Sequence, residues 1–149
     1  MSAVDRVVAA LARAAVDPEI REFPEGTRTA PEAAAAVGCE VGQICKSLVF
    51  RVGDDPLLVV ASGANRVDEA RFGATKADAA YVRETTGFAI GGVPPVGHDR
   101  AIDTVIDEDL LGYDVVWAAA GTPRAVFAIA PGALVEASGG RVARVSPST

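Results

Sequence analysis

Val4, Val7, Val8, Leu11 and Ala15 recur at helical spacing behind Ser2, and Asp5, three residues after that serine, completes a capping box. The pattern predicts an amphipathic first helix ending near Asp17-Pro18. Ile20 to Phe23 reads as a short extended piece closed by Pro24. Thr29 then stands as N-cap, with Pro31 in the first turn, of an alanine-rich helix that stops at Gly38. After a turn around Glu40 to Ile44 the periodicity becomes that of strands. Lys46 to Val52 and Leu57 to Ala61 are β-branched runs on either side of Gly53-Asp54-Asp55-Pro56, which is a hairpin pattern. Two short helical patterns follow, Val67 to Phe72 and Lys76 to Thr86. Ala101 to Ile106, Val115 to Ala119 and Arg124 to Ile129 are further strands, Asp107 to Leu111 is a helical turn, and Pro131 to Ala137 is a last helix. Arg141 to Thr149 holds a final strand and a frayed tail. Strands thus alternate irregularly with short helices, without an internal repeat. The order predicts a mixed α/β (α+β) fold, a sheet curled toward a barrel with short helices outside it.

Composition narrows the class. At 149 residues the chain is expected to form one domain, residues 1–149, with a core of small aliphatic side chains. Its apolar runs are far shorter than a bilayer requires, and Asp5, Arg6 and Arg13 interrupt any signal-peptide core, so a soluble cytoplasmic protein without a membrane partner is expected. The net charge of −6 argues against a protein that coats nucleic acid. It leaves room for one that grips only the end of a nucleic acid, since a few phosphate contacts need only local positive charge. Cys39 and Cys45, with His98 as the single histidine, do not supply a zinc ligand set or a redox pair. They read as reduced thiols, and no metal site is expected.

Two stretches carry candidate chemistry. In Gly91-Gly92-Val93-Pro94-Pro95-Val96-Gly97-His98, paired glycines let a ligand approach the main chain and paired prolines stiffen it. Such a loop either binds a substrate through its peptide groups or is a tight turn between strands. In Gln43 to Phe50, Lys46 is one of only two lysines beside twelve arginines, and it opens an apolar strand. Either a compact ammonium binds a single oxygen there, in a narrow pocket where a planar guanidinium does not fit, or the lysine is a compositional accident whose side chain snorkels to water. The other lysine, Lys76, sits in a polar pattern beside Thr75 and Asp78 and reads as a solvated surface charge. Phosphate-loop, nucleophile-elbow and zincin motifs are absent.

Gln43-Ile44-Cys45-Lys46-Ser47-Leu48-Val49-Phe50, the Gly91 to His98 loop, Ile106-Asp107-Glu108 and Gly121-Thr122-Pro123-Arg124-Ala125-Val126-Phe127 together resemble the YbaK/ProX/EbsC family, over about Val4 to Ala137. These are trans-editing aminoacyl-tRNA deacylases, similar to the editing insertion of bacterial prolyl-tRNA synthetase. The resemblance implies a YbaK-like fold and hydrolysis of the ester between a wrong amino acid and the 3′-terminal adenosine of a tRNA, without a cofactor. It implies that Lys46 is the principal functional side chain and that Gly91 to Pro95, with Gly91, Gly92, Pro94 and Pro95, supplies main-chain groups. Thr122 and Arg124 would border the amino-acid pocket. Ser47 stands where many members have threonine and some have asparagine, which leaves the editing subtype open.

The residues themselves agree with that chemistry. An aminoacyl ester is already activated, so a protein need only hold it, admit water and stabilise the growing oxyanion. Backbone N–H groups of Gly91 or Gly92 are candidate donors. Lys46 either anchors the terminal ribose or phosphate or assists the oxyanion. No side chain is an evident general base. The sugar's neighbouring hydroxyl or a loop carbonyl would orient the water, as the resemblance suggests; His98 is either a loop-capping group or the alternative base. Ser62 to Arg66 is a second polar corner, in which Ser62, Asn65 and Arg66 contact adenosine or phosphate, or in which Asn65 caps a helix and Arg66 is a surface charge. Asp107 and Glu108 read as acids at the start of a helical turn. The acidic balance implies that a synthetase or an elongation factor supplies part of the RNA grip, and a binding module that holds the same end without hydrolysing it is the rival reading.

Overall fold

The computed structural model describes residues 2–23 and 29–147. Pro24, expected to close the first extended piece, and the last two residues of the tail lie outside them. The described residues form α1 Ala3–Arg13, β1 Ile20–Glu22, α2 Ala30–Val37, β2 Cys45–Val52, β3 Asp55–Ser62, β4 Thr75–Lys76, α3 Ala79–Thr86, β5 Asp103–Asp107, β6 Val116–Ala119, β7 Ala125–Ile129, α4 Pro131–Ser138 and β8 Arg141–Ala143. This is the expected mixed α/β class. The strands fall into two sheets, ordered β4-β2-β3-β5-β8 and β1-β7-β6. The sheets meet at a parallel bridge between Ile44 and Trp117 and do not close into a barrel. β4 pairs only with Phe50 and Arg51, so the outer edge of β2 from Lys46 to Val49 has no strand partner among the described residues. No helix among them is long and apolar enough to cross a membrane.

β3 is the spine. It pairs antiparallel with β2 and parallel with β5, and Pro56 to Ser62 are all buried. Alternate side chains feed opposite faces, as the pleat requires. Leu58 and Val60 enter a core with Val7, Leu11, Phe88, Ile106 and Phe127, whereas Leu57, Val59 and Ala61 enter one with Phe50 and Val105. A strand buried on both faces reads as a continuous apolar run, which is why Leu57 to Ala61 was legible.

Local signals set most boundaries. Ser2 Oγ accepts from the Asp5 N–H and the Asp5 carboxylate from the Ser2 N–H, both at 3.1 Å. Thr29 Oγ1 accepts from the Glu32 N–H at 3.2 Å, and Gly38, at φ 78°, ends α2. Several boundaries differ from expectation. Val52 pairs with Asp55, so Gly53-Asp54 alone make the hairpin turn and Pro56 lies within β3. The helix expected from Lys76 starts at Ala79, because the Asp78 carboxylate accepts from the Tyr81 N–H at 2.8 Å and so caps it there. Thr75 and Lys76 extend along β2 instead. The pattern at Val67 to Phe72 condenses to a 3-10 turn over Glu69–Phe72.

Candidate active site

A cavity of about 720 Å³ opens along the unpaired edge of β2. Lys46 and Ser47 line it from β2, Gly91 from the loop after α3, Trp117 from β6 and Thr122 from the β6–β7 turn. The exposed side chains of Arg66 and Lys76 line it as well, and neither has a partner among the described residues. A chain with net charge −6 thus brings three cations to one hollow. Lys76 is exposed as expected, but β4 rather than a helix carries it, and that places it on the cavity wall.

Lys46 is half-buried, and its Nζ donates to the main-chain oxygen of Asn65. Burial pushes its pKa down and the charge of Asp107 pulls the other way. Asp107 is buried; one of its oxygens accepts from the Ser62 N–H and from Asn65 Nδ2, each at 2.9 Å, and the other accepts from the Asp109 N–H at 3.0 Å. Asn65 Nδ2 also donates to Asp109 at 2.7 Å, and Ser62 Oγ donates to the Gly42 oxygen at 2.7 Å. Ser62 and Asn65 therefore do not line the cavity; they build the corner that holds the lysine. Asn65 caps no helix. Ser47 points to the opposite face from Lys46, and its buried Oγ has no hydrogen-bond partner among the described residues.

The glycine-proline loop divides its labour. Gly91 has φ 89° and an N–H that makes no hydrogen bond among the described residues. The Gly92 N–H donates to the Ala89 oxygen at 3.0 Å and is not free for a ligand. A Cβ on Gly92 would lie 2.7 Å from Thr122 Cα, so that glycine lets two backbones touch. Pro94 and Pro95 are buried beside Val93 and Val96 and do not face the cavity.

His98 does not line the cavity either. Its Nε2 lies 2.7 Å from the Pro94 oxygen, and its ring meets Phe88 edge-on with centroids 6.4 Å apart. Arg6 stacks over the same Phe88 at 4.3 Å and bonds the Gly87 oxygen and the Asp99 carboxylate, which ties α1 to the loop. The loop-capping reading thus fits its position. Burial, assisted by Arg6, lowers the His98 pKa below its usual 6.5, against opposing pulls from the Pro94 carbonyl and Asp99. With the folded value depressed, the fold favours the neutral ring: its stabilising contribution is complete above the unfolded pKa and is lost as pH falls through the folded one. Urea unfolding between about pH 5 and 7.5 should therefore show a loss of stability on acidification that is smaller in His98→Gln. Equal slopes in the two proteins would show that this ring is not the linked group.

At the β6–β7 turn, Thr122 Oγ1 accepts from the Arg124 N–H at 3.2 Å, while Arg124 is exposed, lies off the cavity and accepts at its main-chain oxygen from the Phe23 N–H at 2.7 Å. Cys45 lines the cavity, but burial and the Asp107 charge raise its thiol far above the range of a nucleophilic thiolate. What converges is a half-buried cation, the unengaged N–H of Gly91 and apolar walls. Such an arrangement can hold an activated acyl group and stabilise charge on it.

The sequence profile of the aminoacyl-tRNA editing domain matches residues 24–137. The uncharacterised protein YwhH of Bacillus subtilis (strain 168) is 31% identical over 131 residues, 83% of each chain. EbsC of Enterococcus faecalis (strain ATCC 700802 / V583), a candidate Cys-tRNA(Pro)/Cys-tRNA(Cys) deacylase, is 27% identical over 133 residues, 83% of this chain and 80% of its own. Among solved structures, a candidate trans-editing enzyme for prolyl-tRNA synthetase superposes with a TM-score of 0.92 at 46% identity, over 99% of both chains. Profile, relatives and fold agree, and the chain belongs to the aminoacyl-tRNA editing domain family, among its YbaK/EbsC members.

Proposed function

We propose that this protein, as one editing module, hydrolyses the ester that joins a non-cognate amino acid to the 3′-terminal adenosine of a tRNA. The observation that carries the reading is that Lys46 and Gly91, far apart in sequence, line one cavity in a chain of an editing family. A hollow of about 720 Å³ is of the size that buries a small ligand. The free N–H of Gly91 is the donor for the ester's carbonyl oxygen as it gains charge, a contribution typically worth about 3–4 kcal/mol. Lys46 adds a positive charge in a partly desolvated wall, either beside that oxygen or on the terminal ribose or phosphate. The neighbouring ribose hydroxyl or a loop carbonyl orients the water. Arg66 and Lys76 suit the phosphates that precede the terminal adenosine. Thr122, at the cavity's other wall, borders the acyl group, and Arg124 stands outside that contact.

With so acidic a remainder, a synthetase or an elongation factor supplies much of the tRNA grip in the cytoplasm. The names carried by EbsC and by the structural relative point to tRNA(Pro) bearing a small amino acid such as cysteine. The test is a panel of tRNA(Pro) and tRNA(Cys) charged with Ala, Cys, Ser or Pro, followed by ester lifetime. The protein should shorten the lifetime of at least one non-cognate ester. A lengthened lifetime would identify a protective binder, and spontaneous rates throughout would refute the reading.

A further inference from the structure

Lys46 pairs with Ala61, and Asp107 directly follows Ile106, which pairs with Val60, so lysine, alanine and aspartate form one row across β2, β3 and β5. Residues in such a row share a face of the sheet, and the residue between Lys46 and Asp107 in it is an alanine. Every group bonded to that carboxylate is an N–H donor, from Ser62, Asn65 and Asp109. Three N–H donors suit a carboxylate, whose oxygens only accept, whereas the NH2 of an amide in its place would face one of them. The Asn65 whose side chain bonds Asp107 is also the residue whose main-chain oxygen receives Lys46 Nζ.

We infer that Asp107 is a positioning residue of this site: it locks the Ser62–Asn65 corner, and through the Asn65 carbonyl and its own charge it fixes where the Lys46 ammonium stands. The other charges around Lys46 are Asp109, reached through Asn65, and Arg66, Glu69 and Lys76 on the cavity wall. Arg66 and Lys76 act in the same direction as burial, and Asp107 opposes them together with Asp109 and Glu69. The charge of Asp107 pulls the Lys46 pKa up, against burial.

Lys46 and Lys76 are the only lysines, so 13Cε-lysine labelling gives two signals, and Lys76→Arg assigns them. In Asp107→Asn the Lys46 titration midpoint should fall by about one pH unit or more, with Lys76 unmoved. The alkaline limb of kcat/KM against pH should move down with it by the same amount. An unchanged Lys46 midpoint in folded Asp107→Asn protein overturns the assignment. Should that variant not fold, Asn65→Ala keeps the charge and cuts the tether. It should lower kcat/KM about fivefold or more and shift the Lys46 signal, whereas wild-type kinetics with an unshifted signal overturn the assignment. The kinetic arm rests on the deacylase reading and the lysine titration does not. Wild-type protein that leaves every ester intact would end that reading, while the titration would still decide the part played by Asp107.

Discussion

Lys46→Met should lower kcat/KM for mischarged tRNA by about 10²–10³-fold, the size of loss expected when a group that meets developing charge is removed. Methionine keeps an unbranched apolar stem at the start of β2, so the pairing of Lys46 with Ala61 and the burial around it survive. The protein should therefore melt within a few degrees of wild type, which separates loss of the ammonium from loss of the fold. Lys46→Arg should recover little, although the charge is kept, because a planar fork does not fit where one nitrogen bonds the Asn65 oxygen. Deacylation assays and thermal melts on the three proteins check this. Turnover of Lys46→Met within about twofold of wild type would remove the lysine from the site.

Gly92→Ala should cost both stability and activity, through contact rather than conformation. Its Cβ would lie 2.7 Å and 2.9 Å from the Cα and carbonyl carbon of Thr122, both main-chain atoms. That backbone cannot retreat easily, because Gly121, at φ 102°, already sits where a Cβ would be 2.9 Å from the Ala3 oxygen of α1. Overpacking of this kind costs about 1–3 kcal/mol, a fall in Tm on the order of 5 °C for a chain of this size. The displaced loop also carries Gly91, so kcat/KM should fall about tenfold or more. Gly91→Ala makes the contrast. A Cβ there would meet only Pro123 at 3.8 Å, but φ 89° is strained for an L side chain. The strain of roughly 1–2 kcal/mol falls on the group that faces the cavity, so its loss of activity should be the deeper of the two and its loss of Tm the shallower. Scanning calorimetry beside the deacylation assay ranks them, and the opposite ranking would refute the division of roles between the two glycines.

Where the chain's own signals are short-range, they were legible. The Ser2 capping box, the Thr29 cap with its Pro31, and the apolar run of Leu57 to Ala61 each depend on residues a few positions apart or on one strand's burial. Composition singled out Lys46 and the loop, and the family resemblance supplied their roles. Asp107 was read as an acid opening a turn, and it does accept from the Asp109 N–H in that role. Its larger part, beneath the corner that holds Lys46, depends on the β2–β3–β5 register. The available hint was alternation: Asp107 lies two positions after Val105, on the same face of β5. Lys76 was misplaced for a similar reason, since only the Asp78 cap and the pairing with Phe50 show that it lies in β4. Gly92 looked equivalent to Gly91 because both lack side chains, and the partner that distinguishes them, Thr122, is thirty residues away.

By itself the sequence determined most element types, the mixed α/β class and the two chemically unusual segments, because composition, periodicity and capping act within a turn or a strand, and its motifs carried the resemblance to the family. Tertiary structure alone decided that two sheets meet at Ile44 and Trp117 without closing, that the bare edge of β2 becomes a cavity, and which of the candidate residues face it. The physical reason is that facing and register are set by pairings between strands distant in the chain, and a shift of one residue reverses the face of every side chain.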